Sequence, residues 1–258
     1  MTGKPGAVIY PWQPQSEVRG NLAIGNLREN LLAKMRTEKG IHAPTLLTFI
    51  GAIAGFAAQN AVWNTIARTG QAVPNGKHGG PIPRAGFLSI TTVSGEKFFF
   101  GDMLNSYLTP QPNLRWFHLW GFVAGAAAAA GIPVNALPPL NDIYAQVAQS
   151  IGAAGFGMPH VPAQHRPTVT AVQAIKTAWP FVRQVLNLPL PRQMQSAKDE
   201  PLLAEEHWPI IASIVAGQFL QHVKDVVDPR AAVVLIMESA IAASKIDPTT
   251  VRATAKAA

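Results

Sequence analysis

Apolar residues recur every three or four positions along most of the chain, which is the spacing of one face of an α-helix. Near the N-terminus, Leu27, Leu31 and Met35 share such a face, and Gly40 ends the pattern. The same spacing returns repeatedly between glycine and proline residues. The pattern predicts helices over residues 17–37, 44–68, 114–130, 141–151, 168–186, 201–227 and 229–245, followed by a short terminal helix. The helix at 229–245 is preceded by Asp228, whose carboxylate is predicted to cap it, and it starts with Pro229.

One segment instead has the composition of a β-hairpin. Residues 87–93 and 97–100 are rich in Phe, Ile, Thr and Val, and the intervening Gly95 can adopt the positive φ of a tight turn. Two strands alone are marginally stable, so we expect the hairpin to pack on helices or on another subunit. The predicted fold is therefore mainly α, with seven or eight packed helices and one small antiparallel β-hairpin at about 87–100.

Two stretches rich in glycine and proline, residues 70–86 and 152–167, interrupt the helical pattern and are predicted as loops. We interpret residues 1–258 as a single, mainly helical domain. The loop at 152–167 is the one candidate boundary within it.

Composition excludes several functional classes. The chain has 258 residues, of which 48% are hydrophobic and 14% charged, and it contains no cysteine. Disulfides, thiolate metal sites and a cysteine nucleophile are thereby excluded. The net charge is +7, but the basic residues are scattered rather than gathered in a dense run, which argues against a nucleic-acid partner.

Two segments without any charged residue, 40–67 and 116–141, raise the question of membrane insertion. Their apolar cores, 46–58 and 116–132, are shorter than the roughly 20 residues that a spanning helix needs, so we interpret them as buried helices. Each contains two glycines four residues apart, Gly51 and Gly55 in the first and Gly121 and Gly125 in the second. Such pairs allow close backbone approach, which predicts a contact between these two helices.

Familiar catalytic and cofactor motifs are missing. Gly76 and Lys77 suggest a phosphate-binding loop, but Pro74 removes an amide donor and His78 replaces the hydroxyl that binds magnesium. Glu205, Glu206 and His207 are interpreted as the start of a helix rather than a metal site, because acidic residues stabilise that end. We therefore expect no metal and no cofactor.

Two weak groups of candidate ligand-binding residues remain, one in each loop. Lys77, His78 and Arg84 could surround a small anion in the 70–86 loop. His160 and His165 in the 152–167 loop could act as acid–base groups, because imidazole exchanges protons near neutral pH.

Three functional hypotheses follow. The first is a soluble, cytoplasmic, non-catalytic binding or assembly protein that forms a homodimer, with the hairpin at the subunit contact. The second is an enzyme that acts on a small anionic substrate at the 70–86 or 152–167 loop. The third is a membrane-associated helical protein. An enzyme should bring two candidate residues into one cavity with a shifted pKa, whereas a dimer should place the hairpin at a subunit contact.

Overall fold

A computed structural model describes residues 10–12, 17–69, 72–74, 81–83, 88–110, 117–189, 191–194 and 203–254. Within these residues the fold is mainly helical, as predicted. The helices are α1 (Glu17–Met35), α2 (Ala43–Thr69), α3 (Asp102–Asn105), α4 (Leu119–Ala129), α5 (Leu140–Gln149), α6 (Ala171–Leu186), α7 (Trp208–Val223), α8 (Pro229–Ala243) and α9 (Pro248–Thr254).

Helix α2 is the central element of the core. It packs against α6, α7 and α8, so nearly all of its faces meet other helices, which explains why its sequence is apolar all round. Among the described residues it is the one unbroken helix long and apolar enough to cross a membrane, and 94% of its most apolar stretch is buried inside the protein. The burial agrees with its prediction as a core helix.

The close contact of α2 is with α8. A Cβ atom on Gly51 would overlap the carbonyl oxygen of Ile236, and one on Gly55 would overlap that of Ala240. The predicted contact with the helix at 114–130 was wrong, because no atom beyond its own helix lies within 4 Å of a Cβ position on Gly125, and Gly121 meets only the side chain of His118. Both glycine pairs have the same sequence spacing, but only Gly51 and Gly55 lie against the backbone of another helix.

Helix α4 begins at Leu119, five residues later than the predicted helix at 114–130. The imidazole of His118 caps it, because Nδ1 accepts a hydrogen bond from the N–H of Gly121 at 2.9 Å. Burial lowers the pKa of His118, which suits this role as an uncharged acceptor. Helix α7 is likewise shorter than the predicted 201–227, and a 3-10 turn at Glu205–His207 precedes it.

The predicted hairpin is confirmed. Strands β3 (Leu88–Thr91) and β4 (Lys97–Phe100) pair antiparallel, and Gly95 in the turn has a φ of 84°. Strand β4 connects the hairpin to the rest of the fold, because Phe98 forms an isolated β-bridge with Ile246, which follows α8. The loop prediction for 70–86 was wrong in part, because β1 (Ala72–Pro74) and β2 (Pro81–Pro83) form a second antiparallel pair.

Replacing Gly55 by alanine should destabilise the protein by about 1 to 3 kcal/mol, because the new methyl group must displace the backbone of α8. The matched control is Gly125→Ala, on an exposed part of α4, which should stabilise by about 0.5 to 1 kcal/mol through helix propensity. Urea unfolding of both variants measures the difference. Equal effects of the two substitutions would show that α2 and α8 are not in close contact.

Candidate functional site

Helix α8 carries one buried carboxylate, that of Glu238. Asp228 starts the helix, since its Oδ1 accepts from the N–H groups of Arg230 at 2.7 Å and of Ala231 at 3.3 Å. Ile236 and Ala240 face α2, and Glu238 lies two positions from each, which puts it on the other side of the helix. The side chain of Glu238 is only 5% exposed.

Glu238 is bound by His160 from the 152–167 loop. Its Oε2 lies 2.9 Å from the backbone N of His160 and 2.8 Å from Nδ1 of the imidazole. Pro159 and Pro162 flank this residue and restrict the backbone dihedrals of the loop. The imidazole of His160 reaches solvent, because this side chain is 48% exposed.

The two hydrogen bonds to Oε2 constrain where the protons of this pair lie. Burial raises the pKa of Glu238, and the hydrogen bonds and charge of His160 oppose that rise. An ionised carboxylate can only accept hydrogen bonds, so Nδ1 of His160 must then be the donor. In the neutral imidazole the lone pair consequently lies on Nε2, which is the nitrogen able to take up a proton.

His160 and His165 line the same cavity, which meets the geometric part of the criterion for an enzyme. The cavity has a volume of about 300 Å³ and lies between the 152–167 loop and the first turns of α8. His165 is half-buried and belongs to the 3-10 turn Ala163–His165. The remaining lining residues are Pro138, Val161, Pro162, Gln164, Asp228, Arg230, Ala231 and Val234.

Arg230 provides the cationic group of this cavity. Its Nε donates to the carbonyl oxygen of Ala136 at 3.2 Å, which holds the guanidinium at the cavity wall. No carboxylate in the described part of the chain forms an ion pair with it.

Sequence reasoning identified both histidines and the cap at Asp228 but missed Glu238 and Arg230. Glu238 interrupts the apolar run from Val233 to Ala243, and an isolated carboxylate in such a run is a usable signal for a buried polar site. Arg230 follows a predicted helix start, where a surface arginine is unremarkable. Lys77, His78 and Arg84 lie outside the described residues.

Two residues of the predicted helix start, Glu206 and His207, line a second cavity of about 250 Å³. Glu206 pairs with Arg68 at 3.0 Å rather than with the imidazole of His207. Burial lowers the pKa of His207, which therefore favours the uncharged form. Among the described residues, no group of three or more His, Cys, Asp or Glu side chains could hold a metal ion.

No protein-family model matches the chain, and no curated protein or solved structure is significantly similar to it. The functional assignment is therefore based on the chemistry of the cavity that His160 and His165 line.

Proposed function

We propose that the chain is an enzyme in which His160 transfers protons to and from a small molecule bound in the cavity. One observation carries the proposal: a buried carboxylate, Glu238, holds Nδ1 and the backbone N–H of a half-exposed histidine. A carboxylate in this position fixes the tautomer and the ring orientation of the imidazole, and it stabilises the imidazolium that forms when Nε2 accepts a proton. Glu238 is accordingly a positioning residue, whereas His160 meets the substrate.

The lining of the cavity supports acid–base rather than nucleophilic catalysis. Its described residues include no serine, threonine, lysine or tyrosine, so the side chains offer no hydroxyl or amine nucleophile. Oδ1 of Asp228 already accepts two backbone N–H groups at the start of α8. Proton transfer at His160, to or from the substrate or a water molecule, is the chemistry that these groups supply.

Glu238→Ala should change the tautomer of His160, because it removes the oxygen that requires a donor at Nδ1. We expect the neutral imidazole of the parent protein to carry its proton on Nδ1, and the variant to contain a substantial fraction of the Nε2-protonated form. The ¹⁵N chemical shifts of the ring measure both populations. Reaction of Nε2 with diethyl pyrocarbonate, mapped by mass spectrometry against His165 in the same sample, should slow several-fold.

The matched control is Glu206→Ala, which removes a carboxylate beside another histidine and should leave His160 unchanged. A parent protein in which Nε2 carries the proton would contradict the proposal. Equal tautomer populations in the parent protein and in Glu238→Ala would also contradict it.

Self-association through the hairpin is a second candidate function. Leu88 and Ile90 on β3 are 58% and 42% exposed, and Val93 in the turn is fully exposed. The outer edge of β3 pairs with no other strand in the part of the chain that the structure describes. An exposed apolar edge strand can pair with its own copy about a two-fold axis, which suits a homodimer.

Ile90→Lys should shift such a dimer toward monomer, because it places a charge on the shared strand edge. Val226→Lys is the matched control, since Val226 is also exposed but follows α7, away from the hairpin. Size-exclusion chromatography with light scattering reports the mass of each. A monomeric parent protein, or a dimer that Ile90→Lys leaves intact, would refute assembly through this strand.

A further inference from the structure

The guanidinium of Arg230 is positioned to bind an anionic group of the ligand. Its Nε is occupied by the carbonyl oxygen of Ala136, and this bond restrains the plane of the group. Neither terminal nitrogen bonds to any described residue, so their N–H groups can point to a ligand. Because an arginine presents a planar pair of donors, it matches the two oxygens of a carboxylate.

The surroundings favour a singly charged carboxylate over a phosphate. A helix N-terminus commonly binds phosphate through its first N–H groups, but those of Arg230 and Ala231 already bond to Asp228. Asp228 also lines the cavity, and the carboxylate of Glu238 lies behind the imidazole of His160. The negative charge of these two groups disfavours a doubly charged anion. The guanidinium of Arg230 is the sole permanently cationic group among the described lining residues, so the cavity offers one positive charge to a ligand.

The other walls favour a short hydrocarbon part. Pro138, Val161, Pro162 and Val234 line the cavity with apolar surface. A volume of about 300 Å³ is at the small end of ligand sites, so the ligand has only a few carbon atoms.

We infer that the substrate is a small carboxylic acid, whose carboxylate binds Arg230 and whose hydrocarbon part packs on the apolar walls beside His160. The inference rests on the proposed function, because it places the reacting group of the acid within reach of Nε2. His165 lines the same space and supplies a further donor or acceptor to the substrate.

Butyrate, acetate and inorganic phosphate are the probes for this inference. Titration of each into ¹⁵N-labelled protein at constant ionic strength, with chloride as the reference, should shift the signals of Arg230 and His165 with butyrate. Butyrate should bind about tenfold more tightly than acetate, because its two additional methylene groups contact the apolar walls. Phosphate should bind more weakly than butyrate.

Arg230→Gln should weaken butyrate binding at least tenfold, and Arg230→Lys should retain part of it because the charge remains. Arg183→Gln, an exposed position on α6 outside the cavity, is the matched control and should bind as the parent protein does. Unchanged binding in Arg230→Gln, tighter binding of phosphate, or no shift with butyrate would each overturn the inference. The tautomer of His160 is measured without any ligand, so the proposed proton transfer can fail or stand independently of these results.

Discussion

The close approach of α2 and α8 is the constraint on which the rest of the structure depends. Gly51 and Gly55 let the two backbones come together with no side chain between them. This contact holds α8 in the interior, with one side covered by α2 and its far side facing the 152–167 loop. From Ala231 onward nearly every residue of α8 is buried, and most of these residues are apolar.

Glu238 is the charged residue among them, and its burial determines the shape of the candidate site. A buried carboxylate is costly unless donors satisfy it, and the loop provides two through a single residue, His160. The same bonds orient the imidazole toward the cavity and leave Nε2 as its reactive atom. The hydrogen bonds that stabilise the buried carboxylate of α8 are thus the same ones on which the proposed acid–base chemistry depends.

Local sequence signals predicted the features that depend on local chemistry. The hairpin follows from β-forming residues around Gly95, and the cap of α8 follows from the Asp228–Pro229 pair. His160 and His165 could be named together because a short proline-rich loop keeps them near each other. Glu238 could not be joined to them, since it lies 78 residues from His160 and the fold alone brings them together.

The glycine pairs illustrate the same limit at the level of packing. Gly51 and Gly55 have the spacing of Gly121 and Gly125, but only the first pair lies against another helix backbone. The short strands β1 and β2 were missed because their Gly- and Pro-rich surroundings carry a loop signal. Periodicity identifies which face of a helix is small or apolar, whereas the identity of its partner is a property of the whole fold.

Amide hydrogen exchange at His160 tests the central interaction most directly, because Glu238 is the acceptor of this N–H in the structure. We expect slow exchange in the parent protein, slow exchange in Glu238→Gln, whose amide oxygen can still accept, and fast exchange in Glu238→Ala. Exchange in the parent protein at the rate of an unstructured peptide would contradict it, as would protection that persists in Glu238→Ala.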